Sequence, residues 1–114
     1  MTSKFFEEQF ETYHKGFINQ PLQESIDEIN GAMEYSIEYN KEEGKPYMRY
    51  LVGHGGPNVS INFYPDDIKY FFSWWHHREV SIKGTKNYNA LWELYGNTAK
   101  KDISRLMETL ELKI

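Results

Sequence analysis

The sequence predicts an α+β protein: an antiparallel sheet of four or five strands in a meander, flanked by two N-terminal and two C-terminal helices. Three observations carry this reading. Apolar residues recur at helical spacing at the start of the chain, switch to alternation from Met33, and return to helical spacing after Gly84.

Phe6, Phe10, Tyr13 and Phe17 recur at offsets of 0, 4, 7 and 11, one face of a helix over residues 4–16 that Ser3 or Thr2 can cap and Gly16 can end. Asn19-Gln20-Pro21 breaks the chain. Pro21 suits a first helical turn, and Leu22, Ile26, Ile29 and Met33 repeat the same offsets, giving a second helix over residues 21–30 with Gly31 at its end. Met33, Tyr35, Ile37 and Tyr39 then alternate with Glu34, Ser36 and Glu38, the pattern of a half-buried strand. The polar stretch 40–45 makes a loop, and residues 47–52 form the antiparallel partner. A glycine-rich join over residues 53–58 leads to Val59, Ile61 and Phe63, and a Pro65-Asp66-Asp67 turn leads to strands over 68–75 and 79–83. Tyr88, Leu91, Trp92 and Tyr95 mark a short helix that Gly96 ends with left-handed backbone. Asn97 or Thr98 caps a last helix, whose buried stripe is Ile103, Leu106, Met107 and Leu110.

With 114 residues the chain fits one domain, and its 19 aromatic residues (9 Tyr, 7 Phe, 3 Trp) argue against intrinsic disorder. No apolar run approaches the roughly 18 residues of a membrane span, and the first residues carry acids where a signal peptide needs an apolar stretch. A soluble, cytoplasmic protein is the expectation. The absence of cysteine excludes disulfides, zinc–cysteine sites and thiol nucleophiles.

Charge is unevenly spread. Residues 1–43 hold ten acids against three lysines, a net −7, while residues 44–114 hold seven acids against ten bases, a net +3. Glu24, Asp27, Glu28, Glu34 and Glu38 belong to the acidic part, which can steer the protein toward a basic partner or imitate a phosphate backbone. Direct nucleic-acid binding is not expected from a chain of net charge −4, nor is a membrane partner.

Gly53-His54-Gly55-Gly56-Pro57-Asn58 is the most distinctive local motif. Three glycines and a proline allow either a tight strand connection or a close backbone approach to a partner, to which Gly55 and Gly56 offer amides and Asn58 a side-chain donor and acceptor. Neither the Gly-Lys-Ser/Thr ending of a P-loop nor a dinucleotide fingerprint is present, and the chain lacks the Gly-x-Ser-x-Gly elbow of the hydrolases with His-Gly-Gly loops. Phe71, Phe72, Trp74 and Trp75 form an aromatic block spread over two faces of one strand, more than a single core face needs. With Arg78 nearby, the exposed part has the composition of a binding hot spot. His76 and His77 are adjacent, so in a strand they point to opposite faces and cannot readily share a metal ion. No metal or other cofactor is expected. A histidine among His54, His76 and His77, with Asp66, Asp67 or Glu79 beside it, is the one enzymatic alternative, as a general base.

The segment Tyr50-Leu51-Val52-Gly53-His54-Gly55-Gly56-Pro57-Asn58-Val59-Ser60-Ile61, followed by Trp74-Trp75, resembles a strand–turn–strand pattern of small uncharacterised proteins from bacterial mobile elements. The resemblance spans residues 47–83, with Gly-Gly-Pro-Asn as its specific element. It implies a context of small, acidic inhibitors of host defence, of the anti-CRISPR or anti-restriction type. The expectation is therefore a non-enzymatic inhibitor that binds a host protein, such as a defence nuclease or nuclease complex. Its binding residues would be Gly53, His54, Gly55, Gly56, Asn58, Trp74, Trp75, His76 and Arg78, with Glu24, Asp27, Glu28, Glu34 and Glu38 as phosphate mimics. Two alternatives stand beside it: an immunity protein against a cognate toxin, and a module that sequesters a nucleotide-like signal between the 53–58 amides and the Trp74 and Trp75 rings. A homo-oligomer is compatible with each.

Overall fold

Alternation of apolar and polar residues from Glu34 onward builds five strands: β1 (Glu34–Asn40), β2 (Lys45–Gly53), β3 (Asn58–Phe63), β4 (Ile68–Trp74) and β5 (His76–Ser81). In this computed structural model the backbone of residues 3–112 and the side chains of residues 3–109 are described. The strands pair in chain order, each antiparallel to the next, as the meander reading expects.

The register places Tyr35, Ile37, Met48, Tyr50, Val59, Ile61, Phe63, Ile68, Tyr70 and Phe72 on one face. All the helices cover that face. Helix α1 (Ser3–Asn19) buries Phe6, Phe10 and Phe17, which meet the rings of Tyr70 and Phe72. Pro21 caps α2 (Leu22–Asn30) with φ −57° and ψ 145°, and its carbonyl accepts the Glu24 amide at 3.0 Å. Ile29 of α2 and Leu91, Ala99 and Ile103 of the C-terminal helix complete the core. The opposite face of the sheet carries no helix, and Ser36, Arg49, Ser60, Asn62, Lys69 and Glu79 belong to it. Among the described residues, no helix is long and apolar enough to cross a membrane.

Local structure departs from expectation in four places. Helix α1 runs through Gly16 to Asn19. Nothing lies within 4 Å of a Cβ placed on Gly16, and its φ is not positive, so the structure does not require glycine there. Gly16→Ala is expected to stabilise the fold by about 0.5–1 kcal/mol, through helix propensity and reduced freedom of the unfolded chain, as read by urea unfolding. Second, β5 begins at His76 rather than Glu79 and ends at Ser81. Trp75, expected inside a strand, is instead the turn between β4 and β5.

Third, the two C-terminal helices are joined end to end. α3 (Tyr88–Leu91) continues through a π-helical turn (Trp92–Gly96) into α4 (Asn97–Leu112), with Trp92 and Asn97 both in right-handed helical backbone. Gly96 is no left-handed cap. A Cβ on it would lie 2.5 Å from the Trp92 ring, so the residue is small because the indole folds onto the helix backbone. Fourth, of the stripe expected on the last helix, Ile103 is buried while Leu106 and Met107 are exposed. Thr2 and the side chain of Leu110 lie outside the described residues.

Candidate functional site

The glycine-rich loop and the Trp74–Trp75 pair lie at one end of the sheet. Asn58 pairs with Ser73, and Trp74 pairs with His76, which leaves Trp75 alone at the hairpin tip. Among the described residues it is the one non-glycine residue with positive φ, at 66°. That backbone costs an L-residue about 1–2 kcal/mol. Its indole is 70% exposed and stacks on Trp74 at a centroid distance of 5.2 Å, while Phe5 of α1 meets Trp74 edge-on at 5.8 Å.

In the neighbouring loop, β2 ends in a bulge where Gly53 faces Val59, and a Cβ on Gly53 would be 3.2 Å from that valine's Cβ. Gly55 takes φ 91°, and His54, Gly55, Gly56 and Asn58 are all exposed. His76 packs edge-on against Phe6 at 5.5 Å and His77 faces Phe71 at 6.3 Å on the other side of the sheet, as their adjacency requires. Arg78 is engaged with α1: its guanidinium pairs with the Glu7 carboxylate and lies 5.2 Å from the Phe10 ring centroid. Asp66 and Asp67 belong to the opposite end of the sheet, where Lys45 donates to Asp66 at 2.9 Å and Ser81 to Asp67 at 3.0 Å. His54 therefore has neither of these acids beside it.

The five acids separate into two groups. Glu34 and Glu38 alternate with Tyr35 and Ile37 and so belong to the helix-free face, whereas Glu24, Asp27 and Glu28 lie on α2 in the helix layer. Glu34, paired with Leu51, and Glu28, which lines a cleft with Gly53 and Val59, are near the glycine loop. Burial raises the Glu28 carboxyl above its ordinary pKa against the opposing hydrogen bond from Gln20. In the same layer His14 stacks on Phe10 at 5.3 Å and meets the Tyr70 ring at a tilt, its Nε2 is buried without a hydrogen-bond partner, and desolvation lowers its pKa.

A second site lies on the helix-free face, toward the β1–β2 turn. A cavity of about 520 Å³ is bounded by Tyr39, Tyr47, Phe71 and His77, with Tyr64 and Glu79 as its polar floor. The Tyr64 hydroxyl donates to the Glu79 carboxylate, whose oxygens are 2.9 and 3.0 Å away, and accepts from Asn40 Nδ2 at 3.1 Å. Asn62 Nδ2 donates to Glu79 at 2.6 Å, and Ser60 donates to Asn62 Oδ1 at 2.9 Å. Burial first, and then the Glu79 carboxylate, raise the Tyr47 phenol above its ordinary pKa. Lys69 lies 4.7 Å from the Tyr64 ring centroid, with its ammonium 2.6 and 2.7 Å from the Glu43 oxygens. Sequence reasoning did not find this network. Its signal is the run Asn58, Ser60, Asn62 and Tyr64, a polar alternation in the central strand that leaves buried donors in need of an acceptor.

The fold and these surfaces define an α+β protein with a five-stranded meander, helices on one face, an exposed tryptophan at the sheet tip and a polar-lined cavity on the open face. No protein-family model, curated protein or solved structure matches the chain.

Proposed function

We propose that this protein acts by binding another protein through the sheet tip, with Trp75 as the anchor and the 53–58 loop beside it. The observation that carries the reading is Trp75 itself: a large, exposed aromatic held in backbone that glycine would occupy without strain. Exposed tryptophans of this kind contribute disproportionately to interfaces. Glu28 and Glu34 near the same end favour a basic partner, and the resemblance to mobile-element proteins suggests a host-defence protein such as a nuclease, inhibited by occupation. The separation of the acids onto two faces makes phosphate mimicry a local contribution from those two residues.

Trp75→Gly and Trp75→Ala test the reading. Both lose the stack on Trp74, but glycine relieves the backbone strain, so Trp75→Gly is expected to be about 1 kcal/mol more stable than Trp75→Ala, the reverse of the order at ordinary sites. In affinity capture from host lysate, wild type should retain a protein that the folded Trp75→Gly variant releases, with retention falling as salt rises. Equal retention of the same proteins by both would remove the tip from the mechanism.

A further inference from the structure

We infer that the cavity on the helix-free face is a binding site for an organic ammonium group. Its half-buried acid, Glu79, receives hydrogen bonds from the neutral donors Asn62 and Tyr64 and forms no ion pair among the described residues. Partly buried carboxylates ordinarily gain a cation as well. The other charges around the cavity do not supply one: Lys69 is held by both oxygens of Glu43, Arg78 pairs with Glu7 on the other face, and Lys41 and Glu42 lie exposed in the β1–β2 turn. Glu79 is thus the half-buried acid of the lining, and it has no ion pair among the described residues.

The walls have matching chemistry. Tyr47 and Phe71 line the space, and Tyr47 is fixed by stacking on Tyr64 at 4.8 Å. Aromatic faces around a carboxylate attract an alkylammonium through the ring quadrupoles and through the charge. Within the same cavity Lys69 already displays this pairing, its ammonium over the Tyr64 ring and against a carboxylate. Phosphate-bearing ligands are disfavoured, since the Glu79 carboxylate would face them. The bound group is a primary alkylammonium, carried either by a free aliphatic amine or by a lysine side chain of another protein. The site is separate from the tip and does not depend on how the tip is used.

Amide and methyl NMR titration of the full chain with butylammonium chloride, N-acetyl-lysine methylamide and neutral butanol, at constant ionic strength, tests the inference. Butylammonium should give saturable shifts at Lys69, Phe71, His77 and Glu79 and none at Trp75, and butanol should give none. Equal affinity for the lysine derivative assigns the site to a protein lysine, and preference for butylammonium assigns it to a free amine. Glu79→Gln keeps an acceptor for Asn62 and Tyr64, so its spectrum should remain folded while affinity falls at least about ten-fold. Phe71→Leu, which keeps apolar volume without the ring, should weaken binding by about three-fold or more. Glu93→Gln, exposed on the C-terminal helix in the helix layer, should bind as wild type does. Butanol binding as well as butylammonium, undiminished binding by Glu79→Gln, or no saturable shift with any amine would each overturn the assignment.

Discussion

Phe72→Ala is expected to destabilise the protein by about 3–5 kcal/mol, measured as a shift in urea midpoint at unchanged slope. Phe72 is fully buried in β4, the strand that α1 covers, and three rings of that helix converge on it: Tyr13 at 5.3 Å, Phe6 at 5.6 Å and Phe10 at 5.9 Å. Val59 of β3 stands directly across. Collapse into the vacated space would require the helix to move toward the sheet, and the Glu7–Arg78 pair and the Phe17–Tyr70 contact oppose this along its length. The cavity is therefore retained, and the cost falls at the upper part of the range for large-to-small changes. Amide exchange in α1 should accelerate more than exchange in β2 and β3, because the ring is the centre of the helix's attachment.

Gly96→Ala is expected to cost about 1–3 kcal/mol, although alanine is the better helix former by about 1 kcal/mol. The added methyl meets three atoms of the Trp92 indole at 2.5, 2.6 and 3.0 Å, and that indole is packed against the core cluster. Both cannot keep their places. In a Trp92→Ala background the same substitution should be neutral or stabilising, and the double-mutant cycle isolates the clash from propensity. Gly16→Ala supplies the contrast: the same change in a helix where nothing stands in the way.

Periodicity made most of the architecture legible. The Phe6, Phe10 and Phe17 stripe, the alternation through β1 to β4 and the Pro21 restart all follow from spacing alone, because each element turns its apolar residues mainly to one face. The failures share a cause in contacts that spacing does not encode. Gly96 has the signature of a helix end, but the constraint there is the indole four residues earlier, which folds back onto the glycine. Trp75 fits a continuing aromatic strand, and only the pairing of Trp74 with His76 makes it a turn. At the site level, Gly53 to Asn58 and Trp74–Trp75 could be found as composition anomalies, and their shared end of the sheet follows from strand order. Glu79 was singled out only as an acid that could stand beside a histidine, and its network with Tyr64 and Asn62 was not found, since that meaning lies in hydrogen bonds between strands. Arg78 was singled out from the sequence, and the structure pairs its guanidinium with Glu7 on α1.

The Trp74–Trp75 stack has an optical consequence. Two indoles 5.2 Å apart, inclined by 24° and held on a chiral backbone, form an exciton-coupled pair, so the far-ultraviolet circular dichroism should carry a couplet that vanishes in Trp75→Gly. Trp92, packed against the core on the C-terminal helix, contributes no partner to that signal. Collisional quenchers should likewise reach Trp75 far more readily than a tryptophan held against the core. The hairpin tip thus carries its own label-free reporter, through which docking of a partner can be followed as the loss of quenching and the distortion of one spectroscopic band.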